Sequence, residues 1–573
     1  MPARPTTIGF VVDGPDHNCG VQPLVGGLCR RGWSVHVLLC GVSASTNFGA
    51  WRETGARIHF LDASLSPIAF RVPNLYEPSP TDHTDHIRHA VAALHHNYHF
   101  DVIEFGTHGG TGFRTVQAKR AGLGFDDVVL AVRFDGCGQR SREQAERWPS
   151  GLDELEVDFA ERYSFESADA QVLPTTESAE YIHRLGWSFR GQPPGNLPGV
   201  LIPPSVGLTH GLPDEYERLI RCHRNRASSP TGESGGSTLV SIGVTHYNLG
   251  RFLPAALESV AAQTYPNVEV IVVDDGSTER ESILALEEAK QRYSHFRFLS
   301  QPNSGAASAR NRCLTEARGE YFIPVDADNI VRPDMAETFV RGISRNPHLS
   351  AMTCYFLAFR DAHPQATREY LFACRPTGGP HTMASLRNIY GDTTAILRTE
   401  DFRAVGGYEP DRGTSTEDWE GFVKLVHAGK QVGVIPDHLF EYRHRSASFS
   451  RSTNRFANHQ RVLRQFTHRD QLLPGEAVVL WSALLGFQQQ VEQLTSRQEC
   501  LRYRLADQVY SLCARVPGAS RLVKRIVRSA LAGCRRLGTA QNGPLMTQRG
   551  RAANETDQNQ GNGPQMTQIF ERR

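Results

Sequence analysis

The sequence predicts an α/β protein with two consecutive sheet domains, then a helical region and a polar tail. Short apolar runs alternate with stretches of helical spacing, first over residues 1–220 and again over 238–450. Such alternation is typical of parallel sheets with helices on both faces. Residues 221–237 separate the two patterns and include the run ASSPTGESGGS, whose Ser, Gly and Pro content favours a linker.

The first pattern predicts a Rossmann-like domain over residues 1–220. Its predicted strands are Ile8–Val12, Ser34–Leu39, Asp101–Phe105 and Val128–Phe134. A helical stretch at Thr84–Tyr98 lies between the second and third of them. The order of strands and helices therefore predicts a parallel arrangement.

In the second pattern, three apolar runs end in polar residues. The predicted strands are Leu239–Val244, Val268–Val273 and Tyr321–Val325. The polar residues that follow them include Thr245, Tyr247, Asp274, Asp275, Asp326 and Asp328. Because ligands bind beyond the carboxyl ends of strands in open parallel sheets, we expect these groups to converge on one crevice.

Two further regions follow the second sheet. Residues 451–537 are predicted to be helical, and residues 538–573 are polar without periodicity, which favours disorder. Within the helical region, 521–536 interleaves basic and apolar residues and contains no acid. This pattern fits a helix on an anionic membrane surface, and it equally fits a solvated basic helix.

Charge and cysteine content limit the function classes. The chain of 573 residues has 62 Lys and Arg against 61 Asp and Glu, so its net charge of about +1 argues against nucleic-acid binding. Its 11 cysteines include no pair at CxxC spacing, which favours reduced thiols in a cytoplasmic protein. The longest apolar run, Ala477–Phe487, is about half the length that spans a bilayer.

The pair Asp326 and Asp328 predicts a site for Mg²⁺ or Mn²⁺. Two carboxylates one residue apart beyond a strand end can face the same ligand, and hard cations take their other ligands from water and phosphate. Such an ion would neutralise a diphosphate leaving group. An isolated Asp-x-Asp is usually a solvated loop, but this one ends a buried strand.

Two helix starts also carry charged residues. Gly305 precedes a helix predicted to begin near Ala306. The position of Arg310 in the first turns of that helix suits contact with a base or a phosphate, and it also suits an ordinary surface arginine. Ser415 and Asp418 have the spacing of a capping box at the start of a second helix. A carboxylate at this position also suits a general base.

Residues 239–450 resemble glycosyltransferase family 2, whose members have a GT-A fold. The resemblance rests on the order and spacing of VSIGVTHYNLGRFLPAALESVAAQTYPNVEVIVVDDGST, NSGAASARN, ARGEYFIPVDADNIVRPDM, AVGGYEP and TEDWE. It implies an inverting transfer of a sugar from a nucleotide-sugar donor, most commonly UDP-linked, to a glycan, lipid or protein acceptor. The Gln-x-x-Arg-Trp motif of processive members does not follow Trp419, which favours single additions or short polymers.

The resemblance implies how the donor nucleotide is held. Thr245, Tyr247 and Asp275 would bind the base with help from Arg310. Asp274 would belong to the same nucleotide-sugar site.

The resemblance also implies a metal site and a base. Asp326 and Asp328 would hold the ribose, the diphosphate and Mg²⁺ or Mn²⁺, and Asp418 would deprotonate the acceptor. His444 is a candidate further metal ligand, with a surface histidine as the alternative.

The first domain is similar to the N-terminal half of family 4 glycosyltransferases, which have a GT-B fold. The similar stretches are VQPLVGGLCRRGWSVHVLLCG, HFDVIEFGTHGG and SADAQVLPTTESAEYIHRLG. The donor-binding second half of that family does not follow them, so we expect acceptor binding or scaffolding rather than a second catalytic centre.

Two other functions fit parts of the sequence. A sugar nucleotidyltransferase also uses paired acids, but it normally needs a Gly-rich basic loop after its first strand, where this chain has Tyr247-Asn248-Leu249-Gly250. An inactive carbohydrate-binding or assembly module would not need four acids at the predicted site.

Overall fold

The computed structural model of the protein describes most of the chain up to Thr467. The described residues are 4–13, 21–41, 49–61, 67, 72–75, 79–188, 200–201, 208–227, 238–361, 368–411, 413–445 and 453–467. The predicted helical residues after 467, the basic stretch 521–536 and the predicted tail 538–573 therefore lie outside the described residues.

The first half of the chain forms a parallel sheet of seven described strands. They are β1 (Thr7–Asp13), β2 (Ser34–Cys40), β3 (Arg57–Phe60), β4 (Val102–Gly106), β5 (Val129–Arg133), β6 (Ala170–Leu173) and β7 (Val200–Leu201). Their order is β3-β2-β1-β4-β5-β6-β7, and every described pairing in this sheet is parallel. The strands predicted from the apolar runs agree with four of these to within one or two residues.

Helices cover both faces of this sheet. They are α1 (Val21–Arg30), α2 (Gly49–Arg52), α3 (Asp82–Tyr98), α4 (Phe113–Arg120), α5 (Gly138–Gln144), α6 (Leu152–Ser167), α7 (Thr176–Arg184) and α8 (Leu208–Ala227). Phe10 and Val12 of β1 belong to one buried cluster with residues of α1 and α8. Val11 belongs to another with residues of α3, α4 and α6. This alternation is what a strand buried on both faces requires. Helix α8 also includes the first residues of the stretch predicted as a linker.

The second half forms a mixed sheet of nine described strands. They are β8 (Val240–His246), β9 (Val268–Asp274), β10 (Arg297–Ser300), β11 (Tyr321–Asp326), β12 (Ile330–Val331), β13 (Leu349–Asp361), β14 (Arg368–Cys374), β15 (Ile396–Arg398) and β16 (Gln431–Arg443). The order is β10-β9-β8-β11-β15-β13-β16-β12, and β14 pairs with β13. Strands β8 to β11 run parallel, whereas β15 is antiparallel to both of its neighbours.

Seven described helices accompany the second sheet. They are α9 (Leu253–Ala261), α10 (Arg280–Arg292), α11 (Ala306–Glu316), α12 (Met335–Arg345), α13 (Thr399–Ala404), α14 (Glu417–His427) and α15 (Arg455–Thr467). Helix α15 packs on the second half, where Arg461 pairs with Glu420 of α14 at 2.6 Å. The predicted α/β fold is confirmed. None of the helices in the described ranges is long and apolar enough to cross a bilayer.

A buried carboxyl in the first half makes folding stability depend on pH. Glu161 of α6 accepts the backbone N–H groups of Gly109 and Gly138, each at 2.9 Å. Burial raises its pKa to about 8 even though these hydrogen bonds lower it. The folded state therefore keeps a proton that the unfolded state releases above about pH 4.5.

Stability should consequently fall as the pH rises from about 5 to about 8. Glu161→Gln removes this titration and keeps an oxygen acceptor, so its melting temperature should fall less over that range. Glu166→Gln is the matched control, because Glu166 lies on the same helix and is only partly buried. Thermal denaturation at several pH values tests this, and parallel curves for wild type and Glu161→Gln would contradict it.

Candidate active site

The carboxyl ends of β8 and β11 lie side by side in the second sheet. Their register pairs Thr245 with Asp326, and the Thr245 hydroxyl donates to Asp326 Oδ1 at 3.2 Å. On the other side of β8, His246 lies opposite Asp274 of β9. The strand order reverses between β8 and β11, where open α/β sheets bind ligands. The structure thus brings the three predicted polar strand ends to one edge.

Asp274 is bound within the turn that follows β9. Its Oδ1 lies 3.0 Å from His246 Nδ1 and accepts the Ser277 hydroxyl at 2.6 Å. Burial lowers the pKa of His246, although Asp274 opposes this effect. Tyr247, the next residue after β8, is 43% exposed. The protein therefore engages Asp274 internally and leaves Tyr247 accessible.

Asp275 joins the β9 turn to the start of α11. Its carboxylate accepts the N–H groups of Ser304 at 2.9 Å and Gly305 at 2.8 Å, and the Gln301 amide at 2.8 Å. Gly305 has a φ of 91°, a backbone conformation that favours glycine. These contacts fix the loop that leads into α11.

Arg310 of α11 connects the strand ends to a distant helix. Its Nη2 donates to both oxygens of Asp326, at 2.8 and 3.0 Å, and its Nη1 donates to Glu417 of α14. Burial disfavours the charge of Arg310, but Asp326 and Glu417 outweigh burial and raise its pKa. Arg310 is therefore a buried cation held between two carboxylates, not the surface residue that the sequence left open.

Asp418 lies one residue beyond this ion pair, in the first turn of α14. It is half-buried, and its Oδ1 accepts the N–H of Trp419 at 2.7 Å. Burial raises the pKa of Asp418 well above the ordinary range, Glu417 and Asp326 raise it further, and Arg310 lowers it. A raised pKa suits a carboxyl that takes up a proton near neutral pH.

The predicted capping box at Ser415 is wrong. Thr416 precedes α14 with a left-handed φ of 75°, and its side chain makes no hydrogen bond to the helix. This backbone separates Ser415 from the first turn. The Ser415 hydroxyl instead lies 3.0 Å from the Thr453 hydroxyl, and Asn458 donates to it at 2.7 Å.

Asp328 is paired with an arginine beyond the end of β16. Arg445 Nε donates to its Oδ2 at 2.7 Å, and Arg443 Nε donates to its backbone oxygen at 3.0 Å. Burial and the charge of Asp326 raise the pKa of Asp328, and Arg445 lowers it. The His444 ring lies edge-on to Phe372, with 5.8 Å between ring centroids. In the ranges that the structure describes, no group of three or more His, Cys, Asp or Glu is placed to hold a metal.

The comparison with protein families identifies the core of this half. A family model described as glycosyl transferase family 2 matches residues 241–406. Residues 241–406 are a glycosyl transferase family 2 domain. This domain contains the strand ends and Arg310, and its matched range ends before Asp418.

Curated relatives named as glycosyltransferases match parts of this chain. The glycosyltransferase GlyG of Streptococcus pneumoniae serotype 4 is 39% identical over 108 residues, which are 19% of this chain and 36% of GlyG. The putative glycosyltransferase EpsE of Bacillus subtilis (strain 168) is 26% identical over 224 residues, which are 38% of this chain and 77% of EpsE. Across the first four relatives, the chain spans 29–36% of their length. A crystal structure of S. aureus TarS residues 1–349 in complex with UDP-GlcNAc aligns with 44% of this chain and 71% of that fragment, with a TM-score of 0.34 and 19% identity.

Asp392 of the family 2 domain is an acid near the candidate site that the sequence did not reveal. It is half-buried in the loop before β15. Burial raises its pKa, and the nearby charges of Asp418 and Asp326 raise it further. Its neighbour Thr393 lies 2.9 Å from the hydroxyl of Tyr408, whose ring lies beside Arg310. A lone acid before a strand of three residues has no pattern that would have revealed it.

Proposed function

We propose that the protein is an inverting glycosyltransferase that moves a sugar from a nucleotide-sugar donor to an acceptor hydroxyl. The observation that carries this proposal is the connection made by Arg310. It joins Asp326 at the strand ends to Glu417, the neighbour of Asp418. This connection supports a donor site and a base in one crevice, and the family 2 domain supports the reaction class.

In the proposed reaction, Asp418 is the general base. As the acceptor oxygen bonds to the anomeric carbon of the sugar, the bond from that carbon to the diphosphate breaks. The acceptor proton passes to Asp418, and the leaving nucleotide keeps the electron pair. A single displacement of this kind inverts the configuration at the anomeric carbon. The raised pKa of Asp418 makes its carboxylate a stronger proton acceptor than an ordinary aspartate.

The proposed nucleotide site lies along β8, β9 and the start of α11. Thr245, Tyr247 and Asp275 are proposed to hold the base, and Asp274 to keep its turn in place. UDP is the proposed nucleotide, since it is the commonest donor nucleotide in the resembling family.

Asp326 and Asp328 fit a hard divalent cation. Both are carboxylates at a strand end, and they repel each other enough to contribute to the raised pKa of Asp328. Arg310 and Arg445 are their cationic partners in the structure. We propose that the two aspartates, with His444 as a further ligand, hold Mg²⁺ or Mn²⁺. When bound, such an ion supplies counter-charge for a diphosphate.

A donor screen tests the reaction class. The full chain should release nucleotide from one member of a panel of UDP- and GDP-sugars when Mn²⁺ or Mg²⁺ is present. A sugar nucleotidyltransferase would instead form diphosphate from a nucleoside triphosphate and a sugar phosphate. An assembly module would bind glycans without turnover, so either result would exclude sugar transfer.

Replacing Asp328 should remove the dependence on metal. Asp328→Ala leaves the diphosphate without this counter-charge, so we expect a loss of about 10²-fold or more in turnover. Asp437→Ala is the control, because Asp437 is an acid outside the proposed metal site that pairs with Arg332 at 3.0 Å. Nucleotide release measured against Mn²⁺ concentration tests the assignment. Full wild-type activity in excess EDTA would contradict it.

The acceptor is proposed to be a glycan, a lipid-linked sugar or a protein, as in polysaccharide or cell-envelope assembly. A lipid-linked acceptor would favour peripheral attachment to a cytoplasmic membrane surface through residues 521–536, which lie outside the described part of the chain. The first half of the chain is proposed to bind the acceptor or to support the site.

A further inference from the structure

The chain between β14 and β15 contacts the first turn of α14, which carries Asp418. We call residues 375–392 the bridging segment; it includes a short 3-10 turn, His381–Ser385. The Ala384 oxygen accepts the indole N–H of Trp419, the residue after Asp418, at 2.8 Å. The Ser385 oxygen lies 2.8 Å from His459 Nε2 of α15. The position of the first turn of α14 therefore depends on the bridging segment.

The opposite side of the bridging segment contacts the first half of the chain. Arg114 of α4 donates to the Pro376 oxygen at 3.1 Å. Gly379 lies so close to Phe159 of α6 that a Cβ there would be 2.2 Å from the ring. Arg387 forms an ion pair with Glu156 of α6.

Glu156 is held firmly at its own end of this ion pair. Its side chain is 1% exposed, and its Oε1 accepts the hydroxyls of Ser79 at 2.5 Å and Thr81 at 2.8 Å. Its Oε2 accepts Arg387. Because three donors fix this carboxylate, Arg387 has one well-defined partner position. Helix α6 thus sets where the middle of the bridging segment lies.

We propose that Glu156 and Arg387 are positioning residues for sugar transfer, which hold the bridging segment against α14 and so place Asp418 at the strand ends. This inference rests on the proposed function. It gives the first half of the chain a part in the reaction that requires no contact with donor or acceptor. A displacement of about 1 Å in a reacting group can reduce a rate by about 10²-fold.

Arg387→Gln tests the proposal against a matched control. It removes the charge but keeps a polar side chain, and we expect kcat to fall about 10-fold to 100-fold. The donor Kd, measured by calorimetry, should stay within about twofold, because the proposed donor contacts lie on β8, β9 and α11. Arg345→Gln is the control: Arg345 pairs with Asp126 of the first half at 2.7 and 2.8 Å without touching the bridging segment. It should leave both quantities unchanged.

Two further measurements separate positioning from loss of fold. Arg387→Lys retains the charge and should recover most of kcat, and Glu156→Gln should reproduce the loss. Hydrogen exchange should rise over residues 415–427 in Arg387→Gln and remain at the wild-type level in Arg345→Gln.

The outcomes distinguish this inference from the proposed function. Wild-type kcat and exchange in Arg387→Gln would overturn the positioning role, as would an equal effect in Arg345→Gln. If the wild-type chain transfers no sugar from any donor, the proposed function fails. Hydrogen exchange over 415–427 then decides by itself whether Arg387 positions α14.

Discussion

Asp418→Asn should reduce sugar transfer by about 10²–10⁴-fold, the usual effect of losing a general base. Asparagine keeps the shape of the side chain and can accept the Trp419 N–H through its amide oxygen. It cannot take the acceptor proton. Donor affinity should therefore remain close to the wild-type value, and the loss should appear in kcat.

The dependence of kcat on pH also tests the role of Asp418. Since the base must be ionised, wild-type kcat should rise with pH through a midpoint above the ordinary aspartate range. That limb should be absent from the residual activity of Asp418→Asn. Glu400→Gln is the control, because Glu400 is an exposed acid paired with Arg403. If Glu417→Gln is inactive while Asp418→Asn is active, the roles of these neighbours are exchanged.

Arg310→Gln should be the most destabilising change in the site. It leaves Asp326 and Glu417 without the buried cation that both contact, and breaking a buried ion pair from one side typically costs about 3–5 kcal/mol. Denaturant unfolding measures this loss. Arg297→Gln breaks the partly exposed pair with Glu316 and should cost about 1 kcal/mol or less. Equal losses in the two variants would contradict the prediction.

Besides its stability, Arg310→Gln should lose turnover. Arg310 lowers the pKa of Asp418, so without it Asp418 keeps its proton to higher pH. The fraction of ionised base at neutral pH then decreases, and raising the pH should restore part of the rate. A variant that folds and has the wild-type pH profile would exclude this electrostatic contribution.

The sequence predicts those parts of the fold that local patterns determine. Buried parallel strands such as β8, β9 and β11 are continuous apolar runs, so their bounds could be predicted to within one or two residues. It could also be predicted that the polar residues after these strands lie close together, because parallel strands end at the same edge of a sheet. The long strands β13 and β16 were not predicted: β13 contains the apolar run Cys354–Phe359, and β16 carries Asp437, His438 and Glu441 within its length.

The meeting of the polar strand ends could be predicted from the sequence, whereas the pairing of Arg310 with a residue of α14 could not. Arg310 and Glu417 are 107 positions apart, and no local spacing shows that they pair. The capping box was wrong because Thr416 takes a left-handed conformation that side-chain type does not indicate. Arg445 follows a strand whose pairing with β12 brings it to Asp328, so its role depends on tertiary structure.

The pairing of Asn74 with Ala373 links the edge of the second sheet to the first half of the chain. The side-chain oxygen of Asn74 also accepts the backbone N–H of Arg375, 301 positions away. Contacts at such separation form late, because the intervening chain must lose its entropy first. During synthesis, every residue of the first sheet has been added before residue 373 is made. Domains nearer the N-terminus generally fold first. The first half of the chain can therefore fold first and provide the surface on which β14 and the bridging segment pack. We expect the transfer site to fold in the direction of translation.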